Sequence, residues 1–133
     1  QAVSMDALML MNVTDSQSPV LSKAIVAGGI VVEAFTGDHE PQSVTDEDFD
    51  TLVVHSDVPD VFDGVDDLAP GLESMGVDRV IFVGDTADEA IDQTATVAIV
   101  LGFDAVIVAE SSEHVQQAVE SGAQVSTDVW LRM

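Results

Sequence analysis

Ala7-Leu8-Met9-Leu10-Met11 is an unbroken apolar run, and the largely apolar segments Ile30–Phe35 (broken by Glu33), Arg79–Val83 (opened by Arg79) and Ala105–Val108 follow it along the chain. A strand that buries one face alternates apolar and polar residues; a strand apolar at successive positions is covered on both faces, which is the habit of parallel sheets. Parallel neighbours cannot be joined by tight hairpins, so these runs require crossover segments between them.

The intervening stretches carry the signals that crossovers need. Asp15, Ser16 and Ser18 with Pro19 supply helix-start chemistry; Val20, Leu21, Ala24, Ile25 and Ala27 follow at helical spacing, and Gly28-Gly29 stops the element. Thr51-Leu52-Val53-Val54 reads as a short strand. Asp66 to Met75 reads as a helix with Leu68, Leu72 and Met75 on one face and Gly76 at its end. Asp88 to Leu101 is predicted as an unusually apolar helix with acids in its first turn, Ser111 to Glu120 as a further helix closed by Gly122, and Gln124–Ser126 as a last strand. The expected architecture is α/β: a doubly wound, Rossmann-like, mostly parallel sheet of about six strands with helices on both faces. The acid-rich stretch from Thr36 to Asp50 is expected to be a long exposed loop at the carboxyl edge of the sheet, where function concentrates in such folds.

The 133 residues fit one domain, 1–133, of which 1–5 are expected to be disordered or non-native. A formal charge of −22, with 25 acids against Lys23, Arg79 and Arg132, would suggest disorder were it not joined to a 47% apolar content. Scattered carboxylates over an ordinary core point to a salt-adapted protein, because molar salt screens the self-repulsion. Three cationic residues leave nothing to neutralise phosphates, which excludes nucleic acid and anionic membrane as partners. There is no cysteine, hence no disulfide, no thiolate metal site and no thiol nucleophile. No window has the ~18 apolar residues of a membrane span, and Gln1-Ala2-Val3-Ser4 has no signal-peptide character, so a soluble cytoplasmic protein is expected.

Several segments, in order, resemble the isochorismatase-like cysteine hydrolases, the superfamily of nicotinamidases and N-carbamoylsarcosine amidases. Phe62-Asp63-Gly64-Val65-Asp66-Asp67-Leu68 is similar to the family's F-x-G-T-x-L-x-x-L helix start, and Gly76 to Gly84 to its G-[VI]-[DT]-x-[VL]-x-[VI]-x-G strand. Thr94-Ala95, Leu101 to Val108 and Ser121-Gly122-Ala123-Gln124-Val125 resemble its T-A helix, L-G-Y-x-V-x-V-V strand and closing G-A-x-V. Upstream, Leu8 to Asn12 resembles the L-L-V-I-D strand and Thr36-Gly37-Asp38-His39-Glu40-Pro41 the T-x-D-x-H-P loop. The resemblance implies a shortened member of that scaffold.

Family catalysis relies on a cysteine nucleophile, an aspartate that takes its proton and a lysine beside them. By the resemblance these positions fall on Ala90, Asn12 and near His55, and none carries the family's group. A single engineered inactivation would leave the partners intact, so three replacements favour natural loss. The resemblance also implies an optional metal site, where Asp38 is kept and Glu40 replaces a histidine; Asp38, His39, Glu40 and His55 are the candidate ligands, set against the alternative of a merely solvated acidic loop. Asp38 and Thr86 are candidate binding residues, although Asp85, Asp88 and Glu89 would repel an anion at the helix start after Gly84. His55-Ser56-Asp57 cannot form a hydrolytic triad because adjacent residues do not converge. A phosphoacceptor domain would need an acidic pair after the first strand and a lysine after the fifth, and neither is present.

The sequence therefore points to a catalytically degenerate isochorismatase-like domain acting by binding or self-assembly. Its partners are expected to be further copies of itself and a small-molecule ligand, with apolar Ala90–Leu101 and Trp130-Leu131 as association surfaces or, equally, intrachain core. No cofactor is required; loosely held K, Na or Mg ions are expected, and zinc is not. The alternative is a hydrolase of small amides or esters in which a metal at the Asp38 loop activates water.

Overall fold

The computed structural model describes residues 5–12, 30–37, 52–58, 60–84, 89–109 and 113–126. Six strands, β1 (Met5–Met11), β2 (Ile30–Thr36), β3 (Leu52–Ser56), β4 (Val77–Gly84), β5 (Asp104–Val108) and β6 (Gln124–Ser126), form one sheet. Every neighbouring pair is parallel, in the order β3-β2-β1-β4-β5-β6. This is the doubly wound arrangement expected from the apolar runs. The order reverses between β1 and β4, and the carboxyl ends of those two strands flank the crevice in which open α/β sheets bind ligands.

Both faces of the central strands are covered. On one side Ala7, Met9, Met11, Val32, Ala34, Val80, Phe82, Ala105 and Ile107 join a continuous core. On the other, Leu8, Leu10, Val31, Phe35, Ile81 and Val106 are buried as well. Alternate residues of one strand are thus apolar for two different cores, which is why the sequence shows no period of two.

Among the described residues four helices occur: α1 (Val61–Gly64), α2 (Leu68–Ser74), α3 (Glu89–Val100) and α4 (Gln116–Ser121). The helix read over 15–27 lies outside the described residues. In α3, Ala90, Ile91, Thr94, Ala95 and Ala98 are buried, the spacing of one helical face. Its apolar excess is therefore mostly intrachain core, while Val100 at 76% and Leu101 at 42% exposure remain on the surface.

Two helices differ from the sequence reading, and both for long-range reasons. The single turn α1 had no helical periodicity to announce it. It is held by the Asp60 side chain accepting from Phe62 N at 3.0 Å and by Thr94 Oγ1 of α3 accepting from Val61 N at 3.1 Å. The last helix begins at Gln116, with Glu113 and His114 in a turn. Its N-terminal residue Val115 offers no side-chain cap, and Asp92 Oδ1 of α3 instead accepts from Ala118 N at 2.8 Å. One central helix thus satisfies the orphan N–H groups of two short ones. Phe62 of α1 also stacks on Phe103, with ring centroids 6.1 Å apart. No helix among the described residues is long and apolar enough to cross a membrane.

Candidate functional site

The carboxyl ends of β1, β2 and β3 finish in polar residues, Asn12, Thr36 and Ser56, where the apolar runs stop. Asn12 follows β1 with φ of 56°, a left-handed conformation that asparagine tolerates better than most side chains. Its backbone N–H donates to Ala34 O at 2.8 Å. Its side chain joins β2 twice: Oδ1 accepts from Thr36 N at 2.8 Å and Nδ2 donates to Thr36 Oγ1 at 2.9 Å. Because a backbone nitrogen can only donate, the amide orientation is fixed by this pair. Thr36, expected to open an exposed loop, is instead the buried last residue of β2.

Ser56 lies opposite Thr36 in the β2/β3 register and is fully buried. Its Oγ donates to Val58 O at 2.7 Å and accepts from Val58 N at 3.2 Å, closing the turn that leads to α1. A Cβ on Gly64 would collide with that hydroxyl, so the glycine of the F-x-G segment is there for close approach of α1 to β3.

At the switch point, Gly84 pairs with Met11 across β1 and β4. A Cβ there would sit 2.5 Å from Met11 O and 3.2 Å from Ile91 Cδ1. Strand end and helix start are therefore in contact through the bare glycine, and Asn12 and Ala90, each one residue away, flank this contact on one side of the sheet. Ala90 lies in the first turn of α3, where helix N–H groups would lower the pKa of a thiol. Its methyl is 0% exposed and belongs to the apolar core.

His55 stands apart from these two. It pairs with Phe35, whose strand parity belongs to the opposite side of the sheet from Ala34, Thr36 and the Ala90 core. Its Nε2 lies 2.9 Å from Gly37 O, and since a carbonyl only accepts, Nε2 carries the proton. Nδ1 is 3.8 Å from the exposed Asp57 carboxylate. A neutral His55 ring would thus offer Nδ1, and not Nε2, to a cation. Asp38, His39, Glu40 and Thr86 lie outside the described residues, as do Trp130 and Leu131. Among the described residues no three His, Asp or Glu side chains cluster as metal ligands would.

Burial pushes the Asp60 carboxyl above its usual range, opposed by the N–H of Phe62, which favours the charged form. Thr36, Ser56 and Thr94 fall within segments that the sequence motifs mark, but their hydrogen-bond partners across the sheet edge and core are not legible there.

No family model and no curated protein matches the chain in sequence. Solved structures do match in fold. The chain is similar to the nicotinamidase of Staphylococcus aureus, with a TM-score of 0.73 at 16% identity, covering 96% of this chain and 100% of that one. It is similar to N-carbamoylsarcosine amidase from Thermoplasma acidophilum, TM-score 0.69 at 17% identity over 92% and 95% of the two chains. A pyrazinamidase of Pyrococcus horikoshii, solved in complex with zinc, gives 0.65 at 17% identity over 90% and 97%. The six-stranded parallel sheet is accordingly the isochorismatase-like α/β fold that the sequence motifs implied.

Proposed function

We propose that this chain is an isochorismatase-like domain without the thiol chemistry of its structural neighbours, and that it acts by binding and self-association. The observation that carries this reading is residue 90. At the start of α3, where a cysteine would be activated by helix N–H groups, there is a methyl group sealed in apolar core, and no cysteine exists anywhere in the sequence. Asn12 supports it from the other strand, since an amide whose two atoms are engaged by Thr36 has no basic lone pair with which to take a proton. Val100 and Leu101, exposed at the end of α3 on a carboxylate-rich chain, are the proposed self-association surface.

Ammonia release from nicotinamide and from N-carbamoylsarcosine, measured in molar salt with no metal and with Mg, Mn or Zn, tests the reading. No turnover above the protein-free control is expected in any condition. Turnover that depends on an added metal would replace it with the water-activating hydrolase whose ligands are drawn from Asp38, His39, Glu40 and His55; metal-independent turnover would overturn both. Sedimentation of wild type against Val100→Asp tests association, with a larger species expected for wild type alone.

A further inference from the structure

A second polar constellation lies at the opposite end of the sheet from Asn12 and Ala90. A cavity of about 440 Å³ opens at the amino ends of β4, β5 and β6, lined by Arg79, Ile99, Phe103, Asp104, Val106 and Gln124, with Ala105 and Gly122 completing its wall. Its volume falls in the range of small-molecule sites. Arg79 and Asp104 are register partners on adjacent parallel strands, so their side chains leave the same face about 4.8 Å apart. Gln124 pairs with Val106 on the next strand and therefore faces the same way. Cation, carboxylate and amide thus come from three consecutive strands onto one face, while Phe103 and Ile99, which belong to the core on the other face, reach the cavity at the amino edge.

We propose that this cavity binds a small zwitterion with an apolar body, of the chemical class of a free aliphatic α-amino acid. The charges select it. A guanidinium has five N–H donors, so Arg79 can hold a ligand carboxylate alongside whatever else it contacts. Asp104, its register partner on the adjacent strand, offers a carboxylate to the ammonium, and Gln124 can serve either group. A net anion would meet both Asp104 and the field of a chain carrying −22, and a simple amine would meet Arg79; a net-neutral zwitterion meets neither penalty. Val106, on the face that Arg79 and Asp104 share, would take up the aliphatic side chain, with Ile99 and Phe103 closing the cavity at the amino edge. Because the site is at the amino edge, the proposal stands whether or not the carboxyl edge has any activity.

The test is amide-resolved NMR of the full chain in molar salt, titrated with L-leucine, with 4-methylpentanoate, which lacks the ammonium, and with 3-methylbutylamine, which lacks the carboxylate. Saturable shifts at Arg79, Asp104 and Gln124 are expected for leucine, with each truncated probe weaker by about tenfold or more. Asp104→Asn and Gln124→Ala, both at exposed positions, are expected to weaken leucine without altering the thermal midpoint; Arg79→Gln should weaken both leucine and the carboxylate probe. Absence of saturable shifts, equal binding of leucine and 4-methylpentanoate, or shifts confined to Asn12 and Thr36 would each overturn the proposal. Should Arg79→Gln fail to fold, the wild-type probe series still decides.

Discussion

Thr94 Oγ1 accepts the backbone N–H of Val61 at 3.1 Å, and both residues are fully buried. This one bond fixes the turn α1 against the middle of α3, and it gives the threonine of the T-A segment a structural task. Replacement by valine keeps shape and β-branching but leaves a buried donor unsatisfied. Thr94→Val is expected to destabilise the fold by about 1–3 kcal/mol in urea unfolding, with Thr94→Ser recovering most of the loss. A loss below about 0.5 kcal/mol would mean that Val61 N finds another acceptor.

Asn12 combines a positive φ with two side-chain bonds to Thr36, and three substitutions separate those contributions. Asn12→Ala loses both bonds and strains the backbone; Asn12→Gly loses the bonds alone. The glycine variant should therefore be the more stable of the two by about 1 kcal/mol. Asn12→Asp keeps the acceptor for Thr36 N and lets the Thr36 hydroxyl rotate to donate, so it should stay within about 1 kcal/mol of wild type at neutral pH. Equal stability of the alanine and glycine variants would show that residue 12 is unstrained.

Asp60 has a folded-state pKa raised by burial. The sign follows from linkage: a carboxyl that holds its proton more tightly when folded favours the folded state at low pH, and loses that advantage as pH rises from the unfolded pKa through the folded one. Asn in its place keeps an oxygen for Phe62 N and has no charge to desolvate. Asp60→Asn should therefore gain stability relative to wild type as pH climbs from about 3.8 toward neutrality, where the difference levels off. Chemical denaturation of both proteins in the same salt across that interval measures it; a constant difference would contradict the assignment.

With 25 acids and three cations, the folded chain repels itself. Raising salt from 0.1 M to 1 M shortens the Debye length from about 10 Å to about 3 Å, so the thermal midpoint should rise steeply over that interval. A midpoint unchanged by KCl would remove the case for salt adaptation.

The sequence by itself determined the sheet. Runs such as Ala7–Met11 and Val80–Val83 need cover on both faces, and that local requirement yields parallel strands with crossovers, while the resemblance of the ordered motifs implied the isochorismatase-like fold. It also marked the switch-point glycine and the methyl at position 90, since both follow from residue identity at a strand end and a helix start. Tertiary structure alone decided what the polar residues do. Whether Thr94 and Asp92 serve chemistry or caps depends on donors 33 and 26 residues away, respectively. The side of the sheet that His55 takes depends on its register with Phe35, and the approach of Arg79, Asp104 and Gln124 on strand order. Hydrogen-bond partners and cross-strand neighbours are set by how distant segments pack, and a linear pattern carries no record of that distance.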